Sequence, residues 1–183
     1  MTTALRFVGW AWDADLESTT GVQVPAGGFV DALKGWNGWL PLLSGHEAPI
    51  GLAMASEVDG RLLCVGYVLP EHFDQAATVA AGIQRGALRC LSISFMAPVS
   101  SDAPRPIVHR VADLREISVC ATGAHPRASI FHVEEPSALP ADTEALITAK
   151  MRFILAHQRF LSAYDRLNYR MDAFFRALEA RAS

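Results

Sequence analysis

The sequence contains little cysteine. Among its 183 residues there are three cysteines, Cys64, Cys90 and Cys120, and no two of them form a C-x-x-C pair. All three lie inside apolar segments, as reduced core thiols of a cytoplasmic protein do, so we expect no disulfide framework. Three cysteines are also too few for a zinc site made of four cysteines.

The chain also lacks a strong charge of either sign and a long apolar run. Its 16 Lys and Arg against 19 Asp and Glu give a net charge of −3, which disfavours nucleic acid and anionic membranes as partners. The longest apolar run, residues 62–69, ends at Pro70 and is far shorter than the roughly 20 residues that span a bilayer. The apolar residues 7–12 are too few for a signal peptide. We therefore expect no membrane segment and no export signal.

The sequence does contain enough apolar residues, 51%, for a well-packed domain with an additional segment. An Ala-rich stretch before Gly86 predicts a helix over residues 71–85, and a shorter helix is predicted over 29–34. The Trp- and Gly-rich residues 35–45 are predicted to form a loop. Runs of β-branched, aromatic or alternating apolar residues predict at least five strands, over residues 5–12, 62–69, 88–95, 114–121 and 128–133.

The composition changes after residue 131. Residues 132–141 contain Pro136 and Pro140 and predict a linker, which separates a domain over 1–131 from a C-terminal helix over 142–183. Asp142 is the expected N-cap. Either this helix packs on its own domain, or it mediates self-association or docking on a partner. Apolar and aromatic residues recur along it at alternating spacings of four and three: Phe153, His157, Phe160, Tyr164, Leu167, Met171, Phe174 and Leu178.

His46 is the first residue that could take part in chemistry. It follows Ser44 and Gly45 at the end of an apolar run, so we expect it at a strand end or in a loop, where a base can face a cleft. Most histidines in such a position are surface or supporting residues. The neighbouring Glu47 suggests the metalloprotease motif H-E-x-x-H, but the second histidine is missing and Pro49 would break the helix. We therefore predict no zinc site.

The predicted strand over residues 88–95 carries two serines. Its alternation places Leu88, Cys90, Ser92 and Ser94 on one face, and Leu91, Ile93 and Phe95 on the other. A serine in a strand is commonly a filler, and it becomes a nucleophile only with a base beside it. Cys90 is a competing nucleophile, or a small buried apolar residue.

The predicted strand over residues 114–121 carries a carboxylate. Alternation places Glu116 on one face with Leu114, Ser118 and Cys120, among expected core positions. A buried carboxylate needs a partner, which is either an arginine such as Arg110 or Arg115, or a histidine that it holds in one tautomer. The turn that follows is expected to carry an exposed imidazole, His125.

Six short motifs follow one another in a fixed order along residues 5–131. They are Gly9-Trp10-Ala11, Pro25-Ala26-Gly27-Gly28-Phe29, His46 with Ile50-Gly51, Ser92-Ile93-Ser94-Phe95, Leu114-Arg115-Glu116-Ile117-Ser118, and Pro126-Arg127-Ala128. This order resembles the tailed-phage prohead (capsid maturation) serine proteases, relatives of the herpesvirus assemblins. Each motif alone is weak, and the resemblance is carried by their common order.

The resemblance implies roles for three residues: Ser92 as nucleophile, His46 as general base and Glu116 as the acid that orients the imidazole. It implies an α+β fold with a mostly antiparallel β-barrel core and surrounding helices, to which the sequence adds the long C-terminal amphipathic helix. It further implies a serine endopeptidase without cofactor or metal. Such an enzyme would act in the host cytoplasm inside the assembling procapsid, where it cleaves the scaffold or N-terminal region of the major capsid protein, and itself.

The sequence departs from the family pattern at two positions. Ser94 stands where the family has glycine, and Glu47 stands where an aspartate is more usual. The first departure keeps Ser94 open as a second candidate nucleophile, and it also keeps open a catalytically inactive assembly factor that retains the fold. An esterase or another acyl transferase would use the same residues, so the sequence leaves these activities open as a further alternative. Candidates for the oxyanion hole are backbone amides near Phe95 or in residues 100–105, together with Arg105 or Arg110.

Overall fold

The structure is a computed structural model that describes residues 2–97, 108, 110–139, 144–152 and 156. Residues 144–152 form a helical segment in addition to the elements named below. No helix in the described part of the chain is long and apolar enough to cross a membrane. The elements are β1 (Thr3–Asp13), α1 (Val30–Trp36), β2 (Trp39–Ser44), β3 (Ala48–Val58), β4 (Arg61–Val68), α2 (Ala76–Gln84), β5 (Cys90–Met96), β6 (Asp113–Cys120), β7 (Ser129–Val133) and β8 (Ser137–Ala138).

Seven of the strands close into a barrel. They are hydrogen-bonded in the order β4, β3, β2, β6, β5, β7, β1, and β1 pairs again with β4 to close the sheet. All of these pairings are antiparallel except that of β2 with β6, which is parallel. The short β8 extends the sheet beyond the start of β1. The expected α+β class with a largely antiparallel barrel core is therefore confirmed.

The barrel interior is filled by every second side chain of the strands. In β4, Leu62, Cys64 and Val68 are fully buried, as the period of two in a strand requires. Gly66 lies on the same inward face. A side chain at this position would overlap the ring of Phe7. The aromatic ring of Phe7 therefore takes the space that Gly66 leaves open.

Two strands of the barrel differ from the sequence expectation. Residues 35–45 were expected to form a loop, but Trp39–Ser44 form β2, and the following strand Ala48–Val58 was not predicted. The loop expectation is wrong because β2 is a continuous apolar run buried on both sides, in which Pro41 hides the strand pattern. In β3, small residues take the place of the β-branched ones that mark a strand.

The predicted helices are present with shifted ends. The helix predicted over residues 71–85 begins at Ala76, and Gly86 adopts the positive φ of 71° expected after a helix C-terminus. The shorter helix begins at Val30 and ends at Trp36, followed by Asn37 in the left-handed conformation. Each of these two helices is thus followed by a residue that tolerates a positive φ.

The segment after residue 131 lies against the barrel as far as the structure describes it. Strand β7 continues to Val133, and β8 pairs with Thr3 and Ala4. The helical residues 144–152 bury Ile147 and Met151 in a cluster with Ala4, Leu52, Leu69 and Leu139. The start of the C-terminal segment thus packs on its own domain, one of the two alternatives. Asp142 and all the residues of the alternating apolar pattern lie outside the described residues.

Candidate active site

His46 lies in the turn between β2 and β3. The turn runs from Ser44 to Glu47, and the Glu47 amide donates to the Ser44 carbonyl at 3.1 Å. Its two central residues have positive φ, 57° at Gly45 and 68° at His46, as in type I′ turns. Glycine adopts this conformation freely, and histidine is among the few other residues enriched there. The expectation that His46 lies at a strand end or in a loop is confirmed.

The end of β2 brings this turn next to β6. Leu43 pairs with Ser118 and Ser44 with Val119 in the parallel ladder, and the Gly45 amide donates to the Val119 carbonyl at 3.1 Å. The backbone amide of His46 donates to the Ser118 hydroxyl at 3.0 Å. The position of His46 is therefore fixed by the β2–β6 pairing.

Strands β5 and β6 place the serines of β5 beside the carboxylate of β6. Ser92 lies opposite Ser118, and Ser94 lies opposite Glu116. Leu91 faces the core, with Ile93 and Phe95 packed against it, so the serines lie on the outer face of the strand. This confirms the predicted alternation in β5.

The alternation predicted for β6 is wrong at one residue. Leu114 was expected to share a face with Glu116, but it is fully buried in the barrel core with Ile117 and Val119. The pairing shifts between Ser94 and Phe95, so that Phe95 lies opposite Leu114 and Arg115 is the extra residue. Such a bulge turns Leu114 inward and leaves Glu116 on the outer face.

Ser92, His46 and Glu116 form one hydrogen-bonded chain. The Ser92 Oγ lies 3.0 Å from Nε2 of His46, and Nδ1 of the same ring lies 2.7 Å from Oε1 of Glu116. The side chain of Glu116 is 7% exposed, whereas that of His46 is 43% exposed. The imidazole thus links a nearly buried carboxylate to a hydroxyl at the edge of solvent. His46 comes from a turn, and Ser92 and Glu116 come from two strands. His46 and Glu116 are 70 positions apart in the sequence.

The arginines considered as partners of Glu116 lie elsewhere. Arg110 forms an ion pair with Asp31 at 3.0 Å, and Arg115 lies 3.7 Å from Asp113. Of the two alternatives for Glu116, the structure therefore selects the histidine. Of the candidates for the oxyanion hole, Arg110 is paired with Asp31 of α1, and residues 100–105 lie outside the described residues.

Ser118 is a member of the site that the sequence analysis did not identify. Its hydroxyl donates to Oε2 of Glu116 at 2.6 Å and accepts from the backbone amide of His46 at 3.0 Å. Its side chain is fully buried. Alternation did place Ser118 beside Glu116, but the contact with His46 depends on the parallel pairing with β2, which no local pattern indicates.

The other candidate nucleophiles lack this arrangement. The hydrogen bonds of the His46 ring in the described structure go to Ser92 and Glu116, not to Ser94 or Cys90. Cys90 lies opposite Cys120, and both are free thiols. Burial raises the pKa of the Cys120 thiol, and the nearby carboxylate of Glu116 raises it further. Cys120 is therefore protonated at neutral pH and is a weak nucleophile.

His125 is buried, so the expectation of an exposed imidazole there is wrong. It is 3% exposed, and its ring lies 4.6 Å from that of Trp12. Nε2 lies 3.2 Å from the Leu16 carbonyl, and Nδ1 accepts from the Arg127 amide at 3.3 Å. These contacts explain the burial, because both ring nitrogens have partners inside the protein.

An open cleft of about 620 Å³ lies in front of Ser92 and His46. The cleft is lined by the turn Ser44–His46 and by residues 119–124. The side chain of Ser92 therefore lines a space that is open to solvent. In the described part of the chain, no group of three or more His, Cys, Asp or Glu side chains is arranged to hold a metal ion.

The arrangement is suited to nucleophilic catalysis. A carboxylate at Glu116 only accepts hydrogen bonds, so it holds the proton of the ring on Nδ1 and leaves Nε2 to accept from Ser92. A histidine that bridges a serine hydroxyl and a carboxylate in this way has the geometry used for acyl transfer. Comparison with protein-family models, curated proteins and solved structures finds no match to this chain.

Proposed function

We propose that this protein is a serine endopeptidase with Ser92 as nucleophile, His46 as general base and Glu116 as the orienting acid. The observation that carries the proposal is the chain of hydrogen bonds through the His46 ring, 3.0 Å to Ser92 and 2.7 Å to Glu116. A histidine that bridges a hydroxyl and a nearly buried carboxylate through its two nitrogens is the arrangement that activates a serine.

In the proposed reaction, the Ser92 oxygen attacks the carbonyl carbon of the scissile peptide bond. Nε2 of His46 takes the hydroxyl proton as the new C–O bond forms, and Glu116 stabilises the resulting imidazolium. When the C–N bond breaks, His46 returns that proton to the leaving amine. Water then repeats the sequence and releases the acyl group from Ser92.

The order of motifs supports a more specific proposal, a protease of capsid maturation with an assemblin-like fold. Two motif glycines lie at close backbone approaches in the barrel. A Cβ atom on Gly9 would lie 2.8 Å from the Ser129 carbonyl oxygen, and one on Gly51 would overlap that of Tyr67. In this proposal the substrates are the scaffold region of the major capsid protein and the chain itself, cleaved inside the procapsid in the host cytoplasm.

Co-expression with the major capsid protein of the same particle tests this proposal. The masses of both proteins are compared for the wild type, Ser92→Ala and the control Ser56→Ala, which alters an exposed serine of β3. We expect processing in the wild type and the control, and none in Ser92→Ala. Processing that persists in Ser92→Ala would move the nucleophile to Ser94 or Cys90.

The second candidate is an inactive assembly factor with the same fold. It is favoured by Ser94, which stands in place of the family glycine and lies opposite Glu116 beside the site. A fluorophosphonate, which phosphonylates activated serines, separates the two candidates. Labelling of Ser92 in the purified protein, detected by intact mass and peptide mapping, supports the enzyme. A chain that neither reacts with this reagent nor processes the capsid protein would be the assembly factor.

A further inference from the structure

A second, smaller pocket adjoins Ser92. It has a volume of about 100 Å³ and is distinct from the open cleft, although Ser92 and Ala124 line both spaces. His46 lines only the cleft. Ser92 therefore lies between a wide space that contains the general base and a narrow space that does not.

The walls of the small pocket are mostly apolar. Its apolar side chains include Trp12, Val22, Ile93 and Phe95. The Trp12 ring lies edge-on to Phe95 at 6.1 Å, and its indole N–H donates to the Val24 carbonyl at 3.2 Å. These contacts fix the rings, so the pocket is formed before a ligand arrives.

The polar residues at this pocket already have partners within the protein. The Ser18 hydroxyl lies 2.9 Å from that of Thr20 and accepts from the Val22 amide at 3.0 Å. His125 is bonded at both ring nitrogens. Among the described residues, no Asp, Glu, Lys or Arg lines the pocket. A ligand group that enters it therefore meets apolar surface and no ionic partner, so a charged group there would be costly.

The proposed chemistry decides which part of a substrate faces this pocket. His46 must reach the leaving amine to protonate it, so the leaving group lies in the cleft on the side of His46. The acyl part of the scissile bond then extends to the other flank of Ser92. The first side chain on the acyl side is the one that the small pocket can receive.

We propose that this pocket selects a small aliphatic side chain on the acyl side of the scissile bond. The inference rests on the proposed function. The volume of about 100 Å³ is smaller than the cavity of about 150 Å³ that accommodates benzene in another protein. Alanine, valine and leucine side chains fit this space, whereas phenylalanine exceeds it and charged side chains would be desolvated without a partner.

Peptidyl phosphonates that differ only in this side chain test the inference. Separate samples of the full chain are treated with a simple fluorophosphonate or with one of five probes that carry Ala, Leu, Phe, Lys or Glu next to the reactive phosphorus. We expect the better of the Ala and Leu probes to label Ser92 at least about tenfold faster than the other three, because one misplaced methylene alone costs about tenfold or more.

The outcomes separate the inference from the proposed function. Ser92 that reacts with the simple reagent but equally with all five probes, or fastest with Phe, Lys or Glu, would overturn the inference alone. A Ser92 that reacts with none of the reagents would overturn both.

Substitutions at Val22 provide a second test. Val22→Phe fills the pocket, so we expect the leucine probe to lose at least about tenfold in rate relative to the simple fluorophosphonate. Val22→Ala enlarges the pocket and is expected to raise the rate with the phenylalanine probe. The control Val30→Phe alters an exposed valine, 44% exposed, and is expected to leave the preference unchanged. A preference that does not move with either Val22 variant would contradict the inference.

Discussion

At the scale of single residues, the site depends on a histidine held in an uncommon conformation. His46 has a φ of 68°, which costs a residue with a side chain about 1–2 kcal/mol. The hydrogen bond from its amide to Ser118 and the turn around Gly45 hold it there. The same conformation directs the imidazole toward Ser92 and Glu116, so this local cost is tied to the geometry of the site.

Glu116→Gln tests the orienting role of the carboxylate. An amide in its place can donate to the ring and stabilise the wrong tautomer, and it cannot neutralise the imidazolium, so we expect kcat to fall by about 10³–10⁴. The control is Glu47→Gln, because Glu47 is exposed and adjacent to His46 in the chain. Peptidase assays of both variants provide the comparison. A Glu116→Gln enzyme within tenfold of the wild type would contradict the role.

Ser118→Ala tests a positioning role at the same site. The variant removes a hydrogen bond to the Glu116 carboxylate and one from the His46 amide. A hydrogen bond to a charged group contributes about 1.5–3 kcal/mol, so we expect kcat to fall roughly 10- to 150-fold with KM nearly unchanged. Steady-state kinetics distinguish this from a purely structural role, in which folded protein would retain its kcat.

At the scale of elements, close contacts between strands bring the site residues together. Gly51 of β3 faces the backbone of Tyr67 in β4, where a Cβ atom would overlap the carbonyl oxygen. The same β3 pairs with β2, which carries the turn of His46. The packing of β3 on β4 is thus connected to the turn of His46 through one hydrogen-bonded sheet.

Gly51→Ala is expected to destabilise the barrel by at least about 1–3 kcal/mol, because the backbone of β3 must move away from Tyr67. Gly35→Ala is the matched control. Gly35 lies in α1 with no heavy atom within 4 Å of the added Cβ, so the helix should gain up to about 1 kcal/mol. Urea unfolding of the two variants measures both changes. Equal stabilities would contradict the tight packing at Gly51.

At the scale of the whole molecule, the start of the C-terminal segment is part of the folded domain. The helical residues 144–152 pack on the outside of the barrel, next to Leu52 and Leu69. The carboxylate of Glu144 accepts from the backbone amide of Thr2 at 3.0 Å. The start of the chain is therefore hydrogen-bonded to the helical residues 144–152.

Ile147→Ala tests this packing. Ile147 is 2% exposed, whereas its neighbour Leu146 is 45% exposed. Removing a buried isoleucine side chain costs about 2–5 kcal/mol, and the exposed control Leu146→Ala should change the free energy of unfolding by less than about 0.5 kcal/mol. Thermal or urea unfolding of the full chain provides the measurement. Two variants of equal stability would show that the helix is not docked.

The sequence by itself determined the elements that depend on local pattern. The alternation in β5 predicted the outward serines and the inward apolar side chains, and Gly86 predicted the end of α2. The same alternation failed at Leu114, because a bulge that depends on the β5–β6 register reverses its direction. Strands β2 and β3 were missed because burial on both faces and small residues leave no alternation to detect.

The tertiary structure decided how the site is assembled. Ser92, His46 and Glu116 were singled out in the sequence, but only the pairing of β2 with β6 and of β5 with β6 brings them within hydrogen-bond distance. The contact of Ser118 with His46 depends on the β2–β6 pairing. The small pocket beside Ser92 is assembled from β1, residues 18–22, β5 and residues 124–125. Local sequence patterns indicate only the environment of each residue within its own strand or helix. Contacts between distant strands depend on register and packing, which emerge only when the barrel closes.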